Sequence, residues 1–179
     1  MMTRRELLTL AAAAGASTAC GYSLAGRGSF LPSYIRVIAI PVFLNRTPYA
    51  TVEQVFTEKV RIEFQSRGHY TVKVTEEGAD GVVRGDITSI GASPVGFTDT
   101  QLATRYRFTV NVSVRFEDVR EKKTLWENPA LSFSDEYELA NRSSVTLGAA
   151  AFIGQEGVAI DRLSTDFART VVQAILEAF

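Results

Sequence analysis

The sequence is short of the residues from which catalytic and metal sites are built. It has one cysteine and one histidine among 179 residues. Metal sites normally need several His, Cys or carboxylate ligands in register, and the acidic residues Glu76, Glu77, Asp80 and Asp86 lack such spacing. There is also no serine nucleophile elbow and no phosphate-binding loop. The sequence therefore predicts a protein that is not an enzyme, with no metal, and with His69 at a helix end or in an exposed turn.

A strong net charge is missing as well. The sequence has 19 basic and 20 acidic residues, which gives a formal net charge of −1. A chain so balanced has no broad basic field, and this excludes nucleic acid as a partner. Long apolar runs are equally scarce: the run from Leu7 to Ala16 has about half of the ~20 residues that span a bilayer as a helix, and no second run is long enough.

The N-terminus is built as an export signal. Arg4 and Arg5 form a cationic head, the apolar run follows, and the small residues of Ser17–Ala19 stand directly before Cys20. Signal peptides have this layout and are removed from the mature protein. We therefore predict that residues 1–19 are a signal peptide and that Cys20 is the first mature residue, with the choice between the general and the twin-arginine export route left open.

The junction at Cys20 resembles the lipobox of bacterial lipoproteins. In those proteins the cysteine sulfur receives a diacylglycerol and the new amine is acylated, for example with palmitate. Ser17 stands where a lipobox usually has leucine, and ordinary signal peptidase would cut at the same place, which leaves an unmodified Cys20 as the alternative. Two or more acyl chains hold a protein stably on a membrane. Apart from this covalent lipid, no cofactor is expected.

The mature chain divides into a leash and one globular domain. Residues 20–33 are rich in glycine and serine and are predicted to be an extended tether, and residues 34–179 are predicted to fold as one unit. A first strand is predicted over Tyr34–Ile40, followed by a turn over Asn45–Tyr49. A helix is predicted to begin at Thr51, with a capping box to Gln54, and to end at Gly68. Its predicted apolar face consists of Val52, Val55, Phe56, Val60 and Phe64.

Strand patterns fill the middle of the chain. Strands are predicted over Tyr70–Val74 and over Val82–Ile90, the second with a bulge at Gly85, followed by a turn over Gly91–Pro94. From Arg105 to Phe116 apolar and polar residues alternate strictly, so one face of that strand is predicted to be core and the other wet.

The rest of the chain returns to the sheet and ends in a helix. A charged hairpin loop is predicted over Asp118–Lys123, then a strand over Thr124–Tyr137 interrupted near Pro129, then a helix from about Asp161. The apolar residues of this helix have helical spacing: Leu163, Phe167, Val171, Ala174 and Ile175. The small-residue stretch Ala140–Gly157 favours a helix extension or buried flap over an apolar loop that faces a partner. The predicted fold is an α/β (α+β) two-layer sandwich, a small mixed, largely antiparallel sheet with two helices on one face.

Together these segments resemble the LptE family of lipopolysaccharide-assembly lipoproteins. The resemblance rests on their succession: CGYSL, VIAIPVFLNRTPY, VEQVFTEKV, ADGVVRGDITSI, TRYRFTVNVSVRFED, TLWE and the final amphipathic helix. It implies an outer-membrane lipoprotein on the periplasmic side that plugs and helps assemble the β-barrel LptD and assists insertion of lipopolysaccharide into the outer leaflet. The implied partners are an LptD-like barrel, lipopolysaccharide and, through the lipid anchor, the membrane.

Lipopolysaccharide carries phosphates, which arginine recognises through paired charge-assisted hydrogen bonds. An ordinary solvated face is the competing interpretation of each basic side chain on the wet strand face and in the hairpin loop. The candidates for lipopolysaccharide or barrel contact are Arg105, Arg107, Arg115, Lys122 and Lys123.

A second interpretation stays open. The segment VIAIPVFLNRT is also similar to the opening strand and turn of periplasmic lipoproteins that activate cell-wall synthases, and of lipoproteins of secretion channels. The first would bind a penicillin-binding protein and the second would form an oligomeric pore. The bound partner and the assembly state distinguish these alternatives.

Overall fold

The computed structural model describes residues 31–67, 69–97, 103–138 and 148–178. The predicted signal peptide, Cys20, the predicted helix stop at Gly68 and residues 140–147 of the predicted loop lie outside this part of the chain.

Six strands form one sheet in the described part of the chain. They are β1 (Val37–Ala39), β2 (Leu44–Asn45), β3 (Thr71–Lys73), β4 (Gly81–Phe97), β5 (Ala103–Asp118) and β6 (Lys123–Glu138). Their order is β3-β1-β4-β5-β6, and β2 also lies beside β4. The pairs made by β1 and β2 are parallel, whereas β4, β5 and β6 form an antiparallel meander. The predicted mixed, largely antiparallel sheet is confirmed.

The hairpin between β5 and β6 follows the sequence prediction closely. Asp118 pairs with Lys123, so the charged loop joins the two strands as expected. Near Pro129 the pairing register shifts, because Asn128 pairs with Val114 and Leu131 with Val112. Two residues of β6 therefore stand opposite one residue of β5, which is a β-bulge.

Two predictions at the start of the sheet and along β4 were wrong. The first strand covers only Val37–Ala39 of the seven predicted residues. The stretch from Gly91 to Pro94 is not a turn but part of β4, where Gly91 pairs with Thr109 and Pro94 with Tyr106. Proline is tolerated there because, among the described residues, this half of β4 has a neighbour on one side only, so the missing N–H breaks no second ladder.

The bulge predicted at Gly85 was also wrong. Gly85 pairs in register with Val114, and the irregularity lies between Ile87 and Ser89. Glycine is needed at position 85 for a different reason: a Cβ atom built there would stand 2.5 Å from a ring carbon of Phe43. The Phe43 ring lies against the backbone of β4 and fills the space of the missing side chain.

Gly85→Ala is expected to lower the free energy of unfolding by about 1–3 kcal/mol, because the added methyl overlaps a buried ring. Gly91→Ala in the same strand is the matched control, since a Cβ there would meet nothing within 4 Å. Urea denaturation of both variants measures the difference. Equal stabilities would show that the Phe43 ring moves aside at no cost.

Helix α1 (Val52–Ser66) packs through four apolar residues at helical spacing. Val52, Phe56, Val60 and Phe64 are buried, which confirms the predicted apolar face. Thr57 of the same helix is also buried, and its hydroxyl accepts a hydrogen bond of 3.0 Å from the N–H of Phe43.

The predicted capping box at the start of α1 was wrong. Thr51 has a left-handed φ of 70° and makes no side-chain hydrogen bond to the helix. Asn45 secures this end of the helix from outside: its Nδ2 donates to the carbonyl of Tyr49 at 2.7 Å and to Glu53 Oε2 at 2.8 Å. The predicted turn over Asn45–Tyr49 therefore also positions the first turn of the helix.

Helix α2 (Gly148–Glu177) begins 13 residues before the predicted start at Asp161. Its early residues include Ala149, Ala150 and Ala151, and alanine is the strongest helix former. For residues 148–157 the helix extension is therefore confirmed. Further along, Leu163, Phe167, Val171 and Ile175 are buried, as the predicted helical spacing requires.

Both helices cover the same face of the sheet. Phe167 joins the layers, because its ring lies 5.1 Å from Phe56 of α1, 6.1 Å from Phe43 and 5.5 Å from Phe133 of β6, measured between ring centroids. The β5 residues Phe108, Val110, Val112, Val114 and Phe116 form the floor of this core, and each is at most 2% exposed. The two-layer architecture is confirmed.

The first described residues are fastened to the sheet by two carboxylates. Asp80 Oδ2 accepts hydrogen bonds from the backbone N–H groups of Arg36 at 3.0 Å and Val37 at 2.9 Å. Tyr34 donates its hydroxyl to Asp118 Oδ2, and the Arg120 guanidinium lies 4.8 Å over the Tyr34 ring. Leu31 is already buried, so packing begins within the last residues of the predicted leash.

The hydrogen bonds to Asp80 make the stability of the fold depend on pH. Hydrogen bonds from the N–H groups of Arg36 and Val37 lower the pKa of Asp80 below its ordinary 3.8. A carboxyl whose pKa is depressed on folding stabilises the fold above its unfolded pKa, and this contribution is lost as pH falls through the folded value. Asp80→Asn keeps an acceptor but cannot titrate, so we expect the free energy of unfolding to fall less steeply below pH 3.8 than in the wild type.

Urea titrations at a series of acidic pH values measure this slope. Asp86→Asn serves as the matched control, because Asp86 lies on the same sheet but accepts from a side chain, that of Arg46. If Asp80→Asn and the wild type lost stability in parallel below pH 3.8, Asp80 would not be the titrating group.

Candidate interaction surface

The face of the sheet that the helices leave uncovered is mostly polar along its three long strands, apart from Val82 near the start of β4, which packs with Ala39 and Ala79. On β5, the side chains alternate between the two faces of the sheet. The core side holds Phe108, Val110, Val112, Val114 and Phe116, so the residues between them point to the uncovered face. The pairing register extends this face to both neighbours of β5. We call it the polar sheet face: Arg84, Asp86, Ser89, Gly91 and Ser93 of β4, Arg105, Arg107, Thr109, Asn111, Ser113 and Arg115 of β5, and Glu127, Ser132, Ser134 and Glu136 of β6.

The centre of the polar sheet face is flat and lined by small side chains. Across the strands, Ser89 pairs with Asn111 and Asn111 with Ser132, and the next row is Gly91, Thr109 and Ser134. Asn111 Nδ2 donates to Ser89 Oγ at 2.8 Å. No side chain in these two rows is larger than asparagine, so a partner could approach closely and exchange hydrogen bonds with the hydroxyl and amide groups.

One end of the polar sheet face carries a small ion-pair group. Arg107 Nη2 lies 2.6 Å from Glu136 Oε1, and Arg105 Nη1 lies 3.7 Å from Glu136 Oε2. Two guanidinium groups thus share one carboxylate, which leaves this end with an excess of one positive charge. All three side chains are well exposed to solvent.

The other end carries a denser network. Arg84 donates to Glu76 at 2.6 and 2.8 Å and to Glu117 at 3.2 Å, and Arg115 lies 3.1 Å from Glu117. The hydrogen bond that Arg84 donates to Glu76 raises the pKa of the Arg84 guanidinium above its ordinary value. These carboxylates balance the arginines, so this end carries no net positive charge to attract an anion.

A depression of about 400 Å³ lies between these charged residues. Leu44 forms its apolar wall, and Arg46 lies on its lining with its Nη2 2.6 Å from Asp86 Oδ2. The hydrogen bond to Asp86 raises the pKa of Arg46. Arg46 is paired with Asp86, and Arg84 and Arg115 are paired with Glu117, so each arginine that lines the depression has a carboxylate partner.

The structure divides the predicted contact residues between two places. Arg105 and Arg107 lie at one end of β5, whereas Lys122 and Lys123 lie at the hairpin loop beyond its other end. Asp118, the β5 partner of Lys123, lies 11 positions after Arg107 and 13 after Arg105, so extended strand separates the two groups by roughly 40 Å. Arg115 lies near the loop end, paired with Glu117. The five candidates therefore form no single cluster.

Sequence reasoning missed the residues that pair with these arginines. Glu136 is 29 positions from Arg107, and Glu117 is 33 positions from Arg84, so only the strand register brings them together. The one usable sign was the balance of charge over the whole chain, 19 basic against 20 acidic residues.

No grouping of three or more metal-binding side chains occurs in the described part of the chain. His69 is exposed between α1 and β3, with its ring 6.5 Å from that of Tyr70, which confirms the predicted exposed turn position. The described helices include none with the length and apolar character of a membrane span.

Solved structures share the fold at low sequence identity. Protein XCC0632 from Xanthomonas campestris matches with a TM-score of 0.54 and 10% identity, covering 85% of this chain and 92% of its own. Rare lipoprotein B from Shewanella oneidensis matches with a TM-score of 0.51 and 13% identity, covering 78% and 93%. A minor lipoprotein from Acinetobacter baumannii matches with a TM-score of 0.50 and 12% identity, covering 80% and 92%. A search of the curated proteins found no match.

The family comparison covers most of the chain. The model of the family described as LptE, lipopolysaccharide-assembly, matches residues 35–175. That range runs from just before β1 almost to the end of α2 and includes the whole polar sheet face. The chain belongs to the LptE family of lipopolysaccharide-assembly proteins.

Proposed function

We propose that this protein is an outer-membrane lipoprotein that sits inside an LptD-like β-barrel, helps that barrel to assemble and assists the passage of lipopolysaccharide to the outer leaflet. It acts through binding, without catalysis. The observation that carries the proposal is the polar sheet face, which offers hydroxyl, amide and charged groups over three strands. The lumen of a membrane β-barrel is polar, so a domain inside it needs such a surface.

The rigidity of the polar sheet face supports this role. Its apolar underside packs against two helices, and its ends are cross-linked by ion pairs from three different strands. A preorganised surface loses little conformational freedom on binding. The domain can therefore fill a barrel without rearranging its own sheet.

Lipidation of Cys20 would hold the domain close to its barrel. Leu31 is the first buried residue in the described part of the chain, and it lies 11 positions after Cys20. Those 11 steps, fully extended, span about 36–40 Å. A tether of that length keeps the domain at high local concentration beside any barrel in the same membrane.

Contact with lipopolysaccharide belongs to the same proposal. Arg105 and Arg107 share Glu136, which leaves one guanidinium charge available to a phosphate at that end of the polar sheet face. At the opposite end, Lys122 lies in the hairpin loop and Lys123 begins β6, and both are exposed. Both places suit a phosphorylated sugar, and the distance between them requires two separate contacts.

Affinity purification of the protein from detergent-solubilised outer membrane tests the proposal. We expect a large β-barrel to be recovered in equal amount. Thr109→Trp places a bulky ring in the flat centre of the polar sheet face and is expected to reduce recovery of the barrel at least tenfold. Gln65→Trp, on the exposed side of α1, is the matched control and should leave recovery unchanged.

Three results would contradict the proposal. Recovery of a cell-wall synthase would indicate the activator alternative, and a ring of identical subunits would indicate the secretion-channel alternative. Equal recovery of the barrel with Thr109→Trp and wild type would show that the polar sheet face is not the contact surface.

A further inference from the structure

Lys122 and Lys123 differ from the arginines of the polar sheet face, because they have no carboxylate partner. Each arginine of that face is held in an ion pair, namely Arg84, Arg105, Arg107 and Arg115. No carboxylate in the described part of the chain lies within 4.0 Å of the ammonium group of either lysine. Both lysines are exposed, so their charge is available to an anion outside the domain.

The two lysines belong to the turn between β5 and β6. We call this turn, with the first residue of β6, the hairpin tip: Val119, Arg120, Glu121, Lys122 and Lys123. Val119 is 42% exposed, so the hairpin tip presents an apolar side chain among three cations and one acid. The acids Glu76 and Glu117, which share a depression with Lys122, are held by Arg84 instead.

Lys122 has a backbone conformation that lysine rarely adopts. Its φ is 52°, which lies in the left-handed region where glycine and asparagine are the usual residues. Residues held in sparsely populated backbone regions cluster at functional sites. A long cationic side chain at this position is therefore explained by a contact outside the turn, and not by the geometry of the turn itself.

The hairpin tip also lies where the predicted tether leaves the domain. Tyr34 donates its hydroxyl to Asp118, the residue directly before the tip. The guanidinium of Arg120 lies 4.8 Å over the ring of Tyr34. A lipid on Cys20 would therefore hold this end of the sheet, and not the opposite end of β5, nearest to the membrane.

We propose that the hairpin tip binds the anionic phospholipid headgroups of the leaflet in which Cys20 is anchored. The inference rests on the proposed lipid anchor and adds to it the orientation of the domain. Basic residues beside a lipid anchor are attracted to anionic lipids within about one Debye length of the surface, and the tether keeps the hairpin tip within that reach. Val119 suits the boundary between headgroups and acyl chains.

The single cysteine and the single tryptophan of the chain provide the test. The mature protein is coupled through the thiol of Cys20 to a maleimide lipid in vesicles, which takes the place of acylation. Trp126, three residues after Lys123, is the donor for resonance energy transfer to a dansyl lipid in the headgroup layer. We expect transfer to be at least twofold more efficient on vesicles with equal parts of phosphatidylcholine and phosphatidylglycerol than on pure phosphatidylcholine.

Lys122→Asn with Lys123→Gln is expected to reduce transfer on the mixed vesicles to its level on pure phosphatidylcholine. Asparagine tolerates the left-handed conformation, so the turn is kept. Lys59→Gln with Arg169→Gln removes two positive charges from the helices, and this matched control should keep the transfer of the wild type. Thermal unfolding confirms that each variant is folded.

Equal transfer on both kinds of vesicle, or unchanged transfer with the hairpin variant, would overturn the proposal. An increase on vesicles with lipopolysaccharide, but none with phosphatidylglycerol, would also overturn it and would assign the hairpin tip to the phosphorylated sugar. Because the maleimide lipid supplies the anchor, these outcomes concern the hairpin tip alone. Fractionation of a Cys20→Ala variant decides separately whether the natural anchor exists.

Discussion

Phe167→Ala is expected to lower the free energy of unfolding by about 3–5 kcal/mol. The ring is fully buried and contacts three aromatic side chains from different parts of the chain: Phe43 before β2, Phe56 of α1 and Phe133 of β6. Its removal leaves a cavity at the point where both helices meet the sheet. Domains of this size are stable by about 5–15 kcal/mol, so the variant loses a large part of the total.

Urea denaturation measures the loss, and Val158→Ala in the same helix is the control. Val158 is 52% exposed, so its truncation is expected to change stability by less than about 0.5 kcal/mol. If Phe167→Ala lost less than about 1 kcal/mol, the layers would be held together mainly by other contacts, and the central role of this ring would be refuted.

Cys20→Ala is expected to move the protein completely from the membrane fraction to the soluble fraction. Without the sulfur no lipid can be attached, while cleavage after Ala19 by ordinary signal peptidase still removes the leader. Each buried methylene contributes about 0.8 kcal/mol to anchoring, so loss of two or more chains removes the attachment. Among the residues that the structure describes, burial starts at Leu31, 11 positions after Cys20, so the fold is expected to remain intact.

Cell fractionation, mass spectrometry of the mature N-terminus and thermal unfolding together check this result. Ser23→Ala, three residues after the cysteine, is the control and should stay in the membrane fraction. A correctly processed Cys20→Ala protein that still sediments with membranes would show that the domain, and not a lipid, holds it there.

The parts of the fold that were predictable from the sequence are those with a regular period. Alternation from Arg105 to Phe116 predicted the buried and exposed faces of β5, and helical spacing predicted the apolar faces of α1 and of the second half of α2. In each case burial repeats along a single element. The period of the buried residues is set within one segment of the sequence. Packing against distant segments does not change which side chains share a face.

The errors fall where a distant contact decides the local structure. Gly85 has the spacing of a bulge, but the ring of Phe43 determines its role. Pro94 has the composition of a turn, yet it lies in β4 because that half of the strand pairs on one side only. Thr51 has the sequence of a cap, whereas Asn45 secures the helix from outside. The position of a residue in the sheet cannot be read from its neighbours in sequence.

The candidate surface was predicted in character but not in arrangement. The polar face of β5 was expected, and its arginines were expected to be accessible. Their carboxylate partners on β4 and β6 depend on strand register, which no local pattern fixes for strands of 16 and 17 residues. The division of the basic residues between two distant ends followed only from the length of the strands.

The bond between Tyr34 and Asp118 joins residues 84 positions apart, and β1 pairs with β4 across more than 40 positions. Contacts between such remote parts of a chain form slowly, because a long loop must close first. If the proposed export follows the general route, the leading end of the domain would wait for its partners until the residues up to Asp118 have crossed. In that interval it would be accessible to the enzymes that process and acylate the proposed lipoprotein N-terminus.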